Sequence, residues 1–314
     1  MILPKRKQKI FDSFLYWNEK DMLLLRLHEL DLHVTDFVII EFDLNFKLNQ
    51  YKEFLDLSSP DFDKFRNKIT HLKLEFKNYD EYYNSQMKKI KKESLDLHEK
   101  FFVRVFDEIK IFLEKQNVDF EDIIMFSHVD EIPNLGDLEK IEKSLVYGPI
   151  VLKNNHFIHT IKYYQENSHL GTQIYNYSMI VRNGNLLFEI YEKKFVGEKN
   201  LPVTILKNGW HLSHFDKIER VVDNLNNCSL IYHKKFDKEE VLNCIRNLIP
   251  LINKTSKIKF KKTDIELPEN LDFIDKNLHL ITSVAFTAAV EKVPADIKQA
   301  WKEKRKLNRI KSKK

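Results

Sequence analysis

Two adjacent carboxylates, Asp130 and Glu131, follow the short apolar run Ile123-Ile124-Met125-Phe126 and precede Pro133. Four apolar residues of this kind read as a buried strand, and Pro133 stops any ladder because it has no N–H to donate. Open α/β sheets bind ligands where their parallel strands end, so a strand delivering two carboxylates to that edge places charge at a site. A hard divalent cation held by such carboxylates can bridge and neutralise a diphosphate. His128 lies two residues before Asp130 and in an extended segment points the same way, whereas Glu131 points away. Imidazole suits Mn²⁺ better than Mg²⁺. The competing reading is a solvated acidic turn leading into a helix near Leu135–Leu145.

The elements that must position these groups are legible as alternating apolar runs and helical stripes. Ile10–Tyr16 reads as a first strand. Asn18 is placed to cap a helix, with Glu19 and Asp21 in its first turn, where carboxylates favour the helix dipole. Leu23, Leu27 and Leu30 share one helical face, widened by Met22 and Leu24. Phe37–Glu41 fits a central parallel strand, which makes a right-handed βαβ unit. His71–Phe76 alternates as a third strand. Ser94–Gln116 is the longest helix, with Phe102, Phe106, Ile109 and Leu113 as its core stripe. Gly148–Leu152, Phe157–Tyr163 and Tyr175–Val181 read as later strands, some antiparallel, with a turn at Asn183-Gly184. Lys217–Leu225 and Glu239–Leu248 read as helices.

Composition narrows the function. The chain has 314 residues, is 43% hydrophobic with 23 Phe and 12 Tyr, and has only 6 Gly. It carries no G-x-G-x-x-G or Walker A loop, so a nucleotide would be held by metal and side chains. His28-Glu29 and His33 imitate a zinc-protease motif, but histidines five apart are about 140° apart around a helix. No Gly-x-Ser-x-Gly elbow is present. The net charge of +5 is concentrated in Lys302–Lys314, where eight basic residues and one acid give +7 and leave the rest near −2. That tail reads as a solvated terminus, with contact to nucleic acid or anionic membrane as the alternative. Cys228 and Cys244 have no metal or redox spacing. No signal peptide is visible, and Leu278–Val290 is too short and too polar to span a membrane. A cytoplasmic location is expected, with the sequons at Asn176, Asn227 and Asn253 as chance matches.

Three ordered blocks add a resemblance. Lys9–Phe14 with Asn18–Leu30 and Val34–Glu41 form the first, Ser127-His128-Val129-Asp130-Glu131-Ile132-Pro133 the second, and Asn208-Gly209-Trp210-His211-Leu212-Ser213 the third. Together they resemble glycosyltransferase family seventeen, which includes the β-1,4-mannosyl-glycoprotein 4-β-N-acetylglucosaminyltransferase, over roughly residues 9–245. The resemblance implies an α/β fold: a GT-A-like, Rossmann-type, mostly parallel sheet flanked by helices. Beyond it, the Lys-rich, weakly periodic stretch from Pro250 has no motif and reads as a mainly helical C-terminal appendage packing on the sheet. The expected division is an extension over 1–8, the transferase domain over 9–248, the appendage over 249–301 and the basic tail over 302–314.

The resemblance further implies transfer of N-acetylglucosamine or a related hexose from a UDP-sugar to a saccharide or glycoconjugate acceptor, by inversion and with a divalent ion. The imidazole of His128 makes Mn²⁺ the expected ion in preference to Mg²⁺. Asp130 matches the second Asp of the family's Asp-x-Asp and is the first choice as metal ligand, with His128 and His211 beside it. Asp12, Asn18, Glu41 and Trp210 are the expected donor contacts, ordinary capping and packing being the plain readings of Asn18 and Trp210. For the base that takes the acceptor's proton, Glu131 and Asp216 are the candidates, with Glu166 in a bordering loop. Three positions depart from the family: His128 stands in place of its first Asp, and Phe102 and Val103 follow Glu99 where it has Gln and Arg, with Arg104 one position on as an open substitute. These departures motivate an alternative, a catalytically weakened relative that binds saccharide or acts as an interaction protein.

Overall fold

The computed structural model describes residues 8–43, 52–75, 97–158, 163–182, 203–213, 215, 218–227, 235–246, 261–262 and 267–270. Its strands form one mixed sheet in the order β3-β2-β1-β4-β7-β6-β9-β5, with β10 beside β7 and β8 beside β6. The strands are β1 (Ile10–Tyr16), β2 (Asp36–Phe42), β3 (Ile69–Leu74), β4 (Ile123–His128), β5 (Glu131–Ile132), β6 (Ile150–Ile158), β7 (Tyr163–Asn176), β8 (Thr204–Leu206), β9 (Trp210–Ser213) and β10 (Lys261–Lys262). The first four in space are parallel. β7 then runs antiparallel to β4 and to β6, so the sheet is mixed where a mostly parallel one was expected. Some later strands were expected to be antiparallel, but apolar runs record burial on both faces and not direction, so which strand reverses was not legible.

Alternation along the strands divides the core between the two faces. Ile10 and Phe14 of β1 pack with Phe37, Ile39, Ile123 and Met125 against α1 (Lys20–Leu30), and Phe62 and Phe65 from a 3₁₀ helix at Pro60–Lys68 join them. Phe11 and Leu15 pack with Val38, Ile40, Ile124 and Phe126 against Val105, Phe106, Ile109 and Leu113 of α2 (Leu97–Lys115). Each such Leu or Phe contributes roughly 1.5–3 kcal/mol when fully buried. Glu19, rather than Asn18, is the residue before α1, and no side chain caps that helix. Asn18 instead takes φ +81°, turning the chain sharply out of β1.

The remaining helices are α3 (Leu138–Leu145), α4 (Tyr177–Arg182), α5 (Ile218–Asn227) and α6 (Lys238–Arg246). α3 starts where Asp137 accepts a hydrogen bond from the Lys140 N–H. The expected strand over Tyr175–Val181 is divided: β7 ends at Asn176, and the N–H groups of Tyr177 and Ser178 leave the sheet for the carbonyls of Asp122 and Phe120, opening α4. Among the described residues no helix is long and apolar enough to cross a membrane. Asn183-Gly184, Asp216, Leu278–Val290 and the basic tail lie outside the described residues.

Candidate active site

The end of β4 is built around a buried cation. Arg26 is fully buried on α1 and pairs with the equally buried Asp12 of β1, Nε–Oδ2 2.8 Å and Nη2–Oδ1 2.7 Å. It also donates to Ser127 Oγ at 2.8 Å and to the carbonyls of His128 at 2.8 Å and Glu131 at 3.0 Å. The Phe14 ring lies 4.5 Å beneath the guanidinium. A buried guanidinium is tolerable only when its donors are taken, and here the partners are the backbone that carries the acidic pair. Asp12, expected to meet the donor, instead has both carboxylate oxygens on Arg26.

The chain between β4 and β5 does not stay extended. Val129 and Asp130 form a turn. The Val129 N–H continues onto the Leu15 carbonyl. Glu131 folds back so that its Oε2 accepts from the His128 N–H at 3.0 Å. The expectation that Glu131 points away from Asp130 holds for an extended segment, and the turn at 129–130 removes that condition. β5 then pairs with β9, setting Glu131 opposite His211, and β9 pairs with β6, setting His211 opposite His156. The β5–β9 approach depends on Gly209. Its φ is +87°, and a Cβ there would sit 2.7 Å from the Ile132 carbonyl oxygen and 2.9 Å from Asn154 Oδ1.

Three histidines meet the two carboxylates in this corner. His211 Nε2 lies 3.1 Å from Asp130 Oδ2 and 2.8 Å from Ser213 Oγ. His169, from β7, lies 2.7 Å from Glu131 Oε1 through its Nε2. The His156 ring stacks on His211 with centroids 4.3 Å apart, and His169 is 3.9 Å from His211. His156 Nε2 also reaches Ser213 Oγ at 2.9 Å, and Thr172 Oγ1 donates to the Glu131 carbonyl at 2.8 Å. Burial pushes the Glu131 carboxyl up. The hydrogen bond from His169 and the fields of His169, His128 and His211 outweigh this and hold it far below the usual carboxylate range. Burial likewise opposes Asp130, whose carboxyl His211 keeps low.

This donor set fits a divalent ion. Ligand atoms of Glu131, His169 and His211 all lie within 4.8 Å of one another. Ions bound at about 2.1 Å set neighbouring ligands roughly 3–3.5 Å apart, so small side-chain adjustments close the distance. Of the sequence-selected metal ligands, Asp130 and His211 are brought together. His128 contributes its backbone N–H to Glu131 and its carbonyl to Arg26.

A second polar cluster lies at the ends of β1 to β3, where Tyr16 is in register with Glu41. Glu41 is fully buried, pairs with Lys52, and accepts from His71 Nε2 at 2.7 Å and the Leu55 N–H at 2.9 Å. Burial raises its carboxyl, but His71 and Lys52 bring it below the usual range. The Lys52 ammonium covers the Trp17 ring at 4.8 Å and reaches exposed Asn18 Oδ1 at 3.5 Å. Asn18 is therefore the expected donor contact that faces solvent, whereas Glu41 is enclosed. Trp210, only 4% exposed, packs in the α1-side core. Glu166 lies in β7 rather than in a loop.

Arg26, His156, His169, Thr172 and Ser213 were not singled out from the sequence. Arg26 did carry a signal, as a lone cation inside Leu23-Leu24-Leu25-Arg26-Leu27. The two histidines carried none, since the β6–β7 pairing that joins them contains register shifts around Asn154 and His156.

No curated protein matches the chain. The model of glycosyltransferase family 17 matches residues 3–246. That span contains the Arg26 clamp, the acidic turn and all three clustered histidines, and the match shows that the chain belongs to glycosyltransferase family 17.

Proposed function

We propose that this glycosyltransferase moves N-acetylglucosamine or a related hexose from a UDP-sugar to a saccharide or glycoconjugate acceptor, by inversion and with a divalent ion, Mn²⁺ before Mg²⁺. The observation that carries the reading is the position of the acidic turn. β1 has β2 on one side and β4 on the other, and the crevice beyond such a switch point is where open α/β sheets bind ligands. Leu15 is in register with His128, so Asp130 and Glu131 follow directly at that crevice.

An ion bound where Glu131, His169 and His211 converge, with Asp130 bonded to His211 beside it, would act as a Lewis acid on the departing diphosphate. Asn18 and Lys52 stand on the donor side, while Asp12, Glu41 and Trp210 support the strands that carry them. A base works best with a proton affinity near the operating pH. Glu131, whose affinity is far lower and whose oxygens both accept hydrogen bonds, suits an ion better than a proton. Asp216 is left as the candidate base. The alternative, a saccharide-binding relative without turnover, rests on His128 standing in place of the family's Asp.

The test is release of UDP from a panel of UDP-sugars, with mass analysis of the acceptor, in Mn²⁺, Mg²⁺ or chelator. Ion-dependent release that His211→Ala abolishes without loss of secondary structure is the expected result. If no UDP-sugar is turned over with any ion, while His128→Asp creates turnover, the natural protein is the weakened binder.

A further inference from the structure

We propose that the ion of this centre is held by Glu131, His169 and His211, a two-imidazole, one-carboxylate set drawn from β5, β7 and β9, rather than by the Asp130–His128 pair. The inference rests on the reading of this corner as a metal-assisted transferase site, and it assigns the ligands within it.

The geometry separates the two sets. The three ligand atoms already converge within 4.8 Å. Glu131 is the most enclosed carboxylate of the corner, with a side chain 7% exposed against 26% for Asp130. Metal-ligating side chains are held by outer hydrogen bonds that fix their orientation and tautomer. Glu131 has one from the His128 N–H. His211 has Asp130 Oδ2 at 3.1 Å and Ser213 Oγ at 2.8 Å, and the stacked His156 ring fixes its plane. Asp130 is then a positioning residue for His211, and Ser213 links His156 to the same ring. Two imidazoles and one carboxylate suit Mn²⁺, Co²⁺ or Zn²⁺, whereas Mg²⁺ prefers oxygen ligands and retained waters.

The test uses the ion alone, so it stands apart from the sugar-transfer assay. Metal-free protein is titrated with Co²⁺ and read by its visible absorption, with Mg²⁺ and Zn²⁺ as competitors. One equivalent should bind, Zn²⁺ should displace it and Mg²⁺ should not. The electron spin-echo spectrum of the Mn²⁺-loaded wild type should show nitrogen couplings from imidazole. His169→Ala should weaken Co²⁺ binding by at least about tenfold. Asp130→Asn should keep one-to-one binding and the nitrogen couplings. Circular dichroism checks that each variant folds, and His169→Gln replaces the alanine variant if that one does not. Wild-type spectra without nitrogen coupling, or a folded His169 variant that binds Co²⁺ like the wild type, would overturn the assignment.

Discussion

Arg26 spends its donors on one carboxylate, one hydroxyl and the carbonyls of the acidic turn, and it has no exposed surface through which water could replace them. Removing one member of a buried ion pair strands the other. Arg26→Met should therefore cost about 3–5 kcal/mol in urea unfolding. Adding Asp12→Leu should restore part of that stability but not Co²⁺ binding, because the turn carbonyls still lack their donor. Equal ion affinity in the folded double variant and the wild type would show that the clamp does not position the site. At this scale the sequence was informative where chemistry and motif coincide: Asp130 and His211, 81 positions apart, do meet. It was silent on His169, because no spacing announces a ligand that reaches the corner only through strand pairing. It left the cation partners of Asp12 and Glu41 unread, since a carboxylate at a strand end looks the same whether it faces solvent or a buried cation.

Among the elements, β2 begins with a group that opposes the fold. The Asp36 carboxyl is half-buried, has an Oδ1 without a hydrogen-bond partner among the described residues, and is pushed up to about 6 by burial despite a hydrogen bond from Thr70. Between pH 4 and 6 the folded state thus keeps a proton that the unfolded chain has released. Stability falls as pH rises through this window, and the full cost stands above it. Asp36→Asn should gain about 1–2 kcal/mol over the wild type at pH 7 and nothing near pH 3.5. Paired denaturant curves measure it, and a gain independent of pH would refute the titration. The β1-α1-β2 unit and β4 were legible because strand and helix periods differ plainly there. The turn at Val129–Asp130 entered only as the competing reading and the helix at Tyr177 not at all, since β-branched and aromatic residues favour strands until tertiary hydrogen bonds redirect the backbone.

For the molecule as a whole, a late segment ties back to the first helix. β10 pairs antiparallel with β7, Leu267 packs on the α1-side core, and Pro268 is buried. Glu29 of α1 accepts from the N–H groups of Glu269 and Asn270 and from Asn270 Nδ2 at 2.9 Å. Ending the chain after residue 260 should remove about 2–4 kcal/mol and lower Tm, with the far-ultraviolet spectrum of the rest kept. An unchanged Tm would mean that this docking adds nothing. Composition foretold a chain able to bury a large core and gave the tail's charge, but the return of residues 267–270 to α1 had no local signature, because a surface Glu reads alike with or without backbone donors beside it.

The reach of Arg26 has a consequence for how the protein comes into being. Its acceptors around the acidic turn lie 101 to 105 positions further along the chain. At roughly 5–20 residues per second of synthesis, they emerge some 5–20 s after the arginine. Until then the guanidinium has only Asp12, and the growing polypeptide holds neither the turn nor the histidines that surround it. This corner is closed by contacts of long sequence separation, which form slowly. On the proposed reading, a chain that ends before β9 lacks His211 and would bind neither ion nor donor, so competence would arrive only as the sheet is completed.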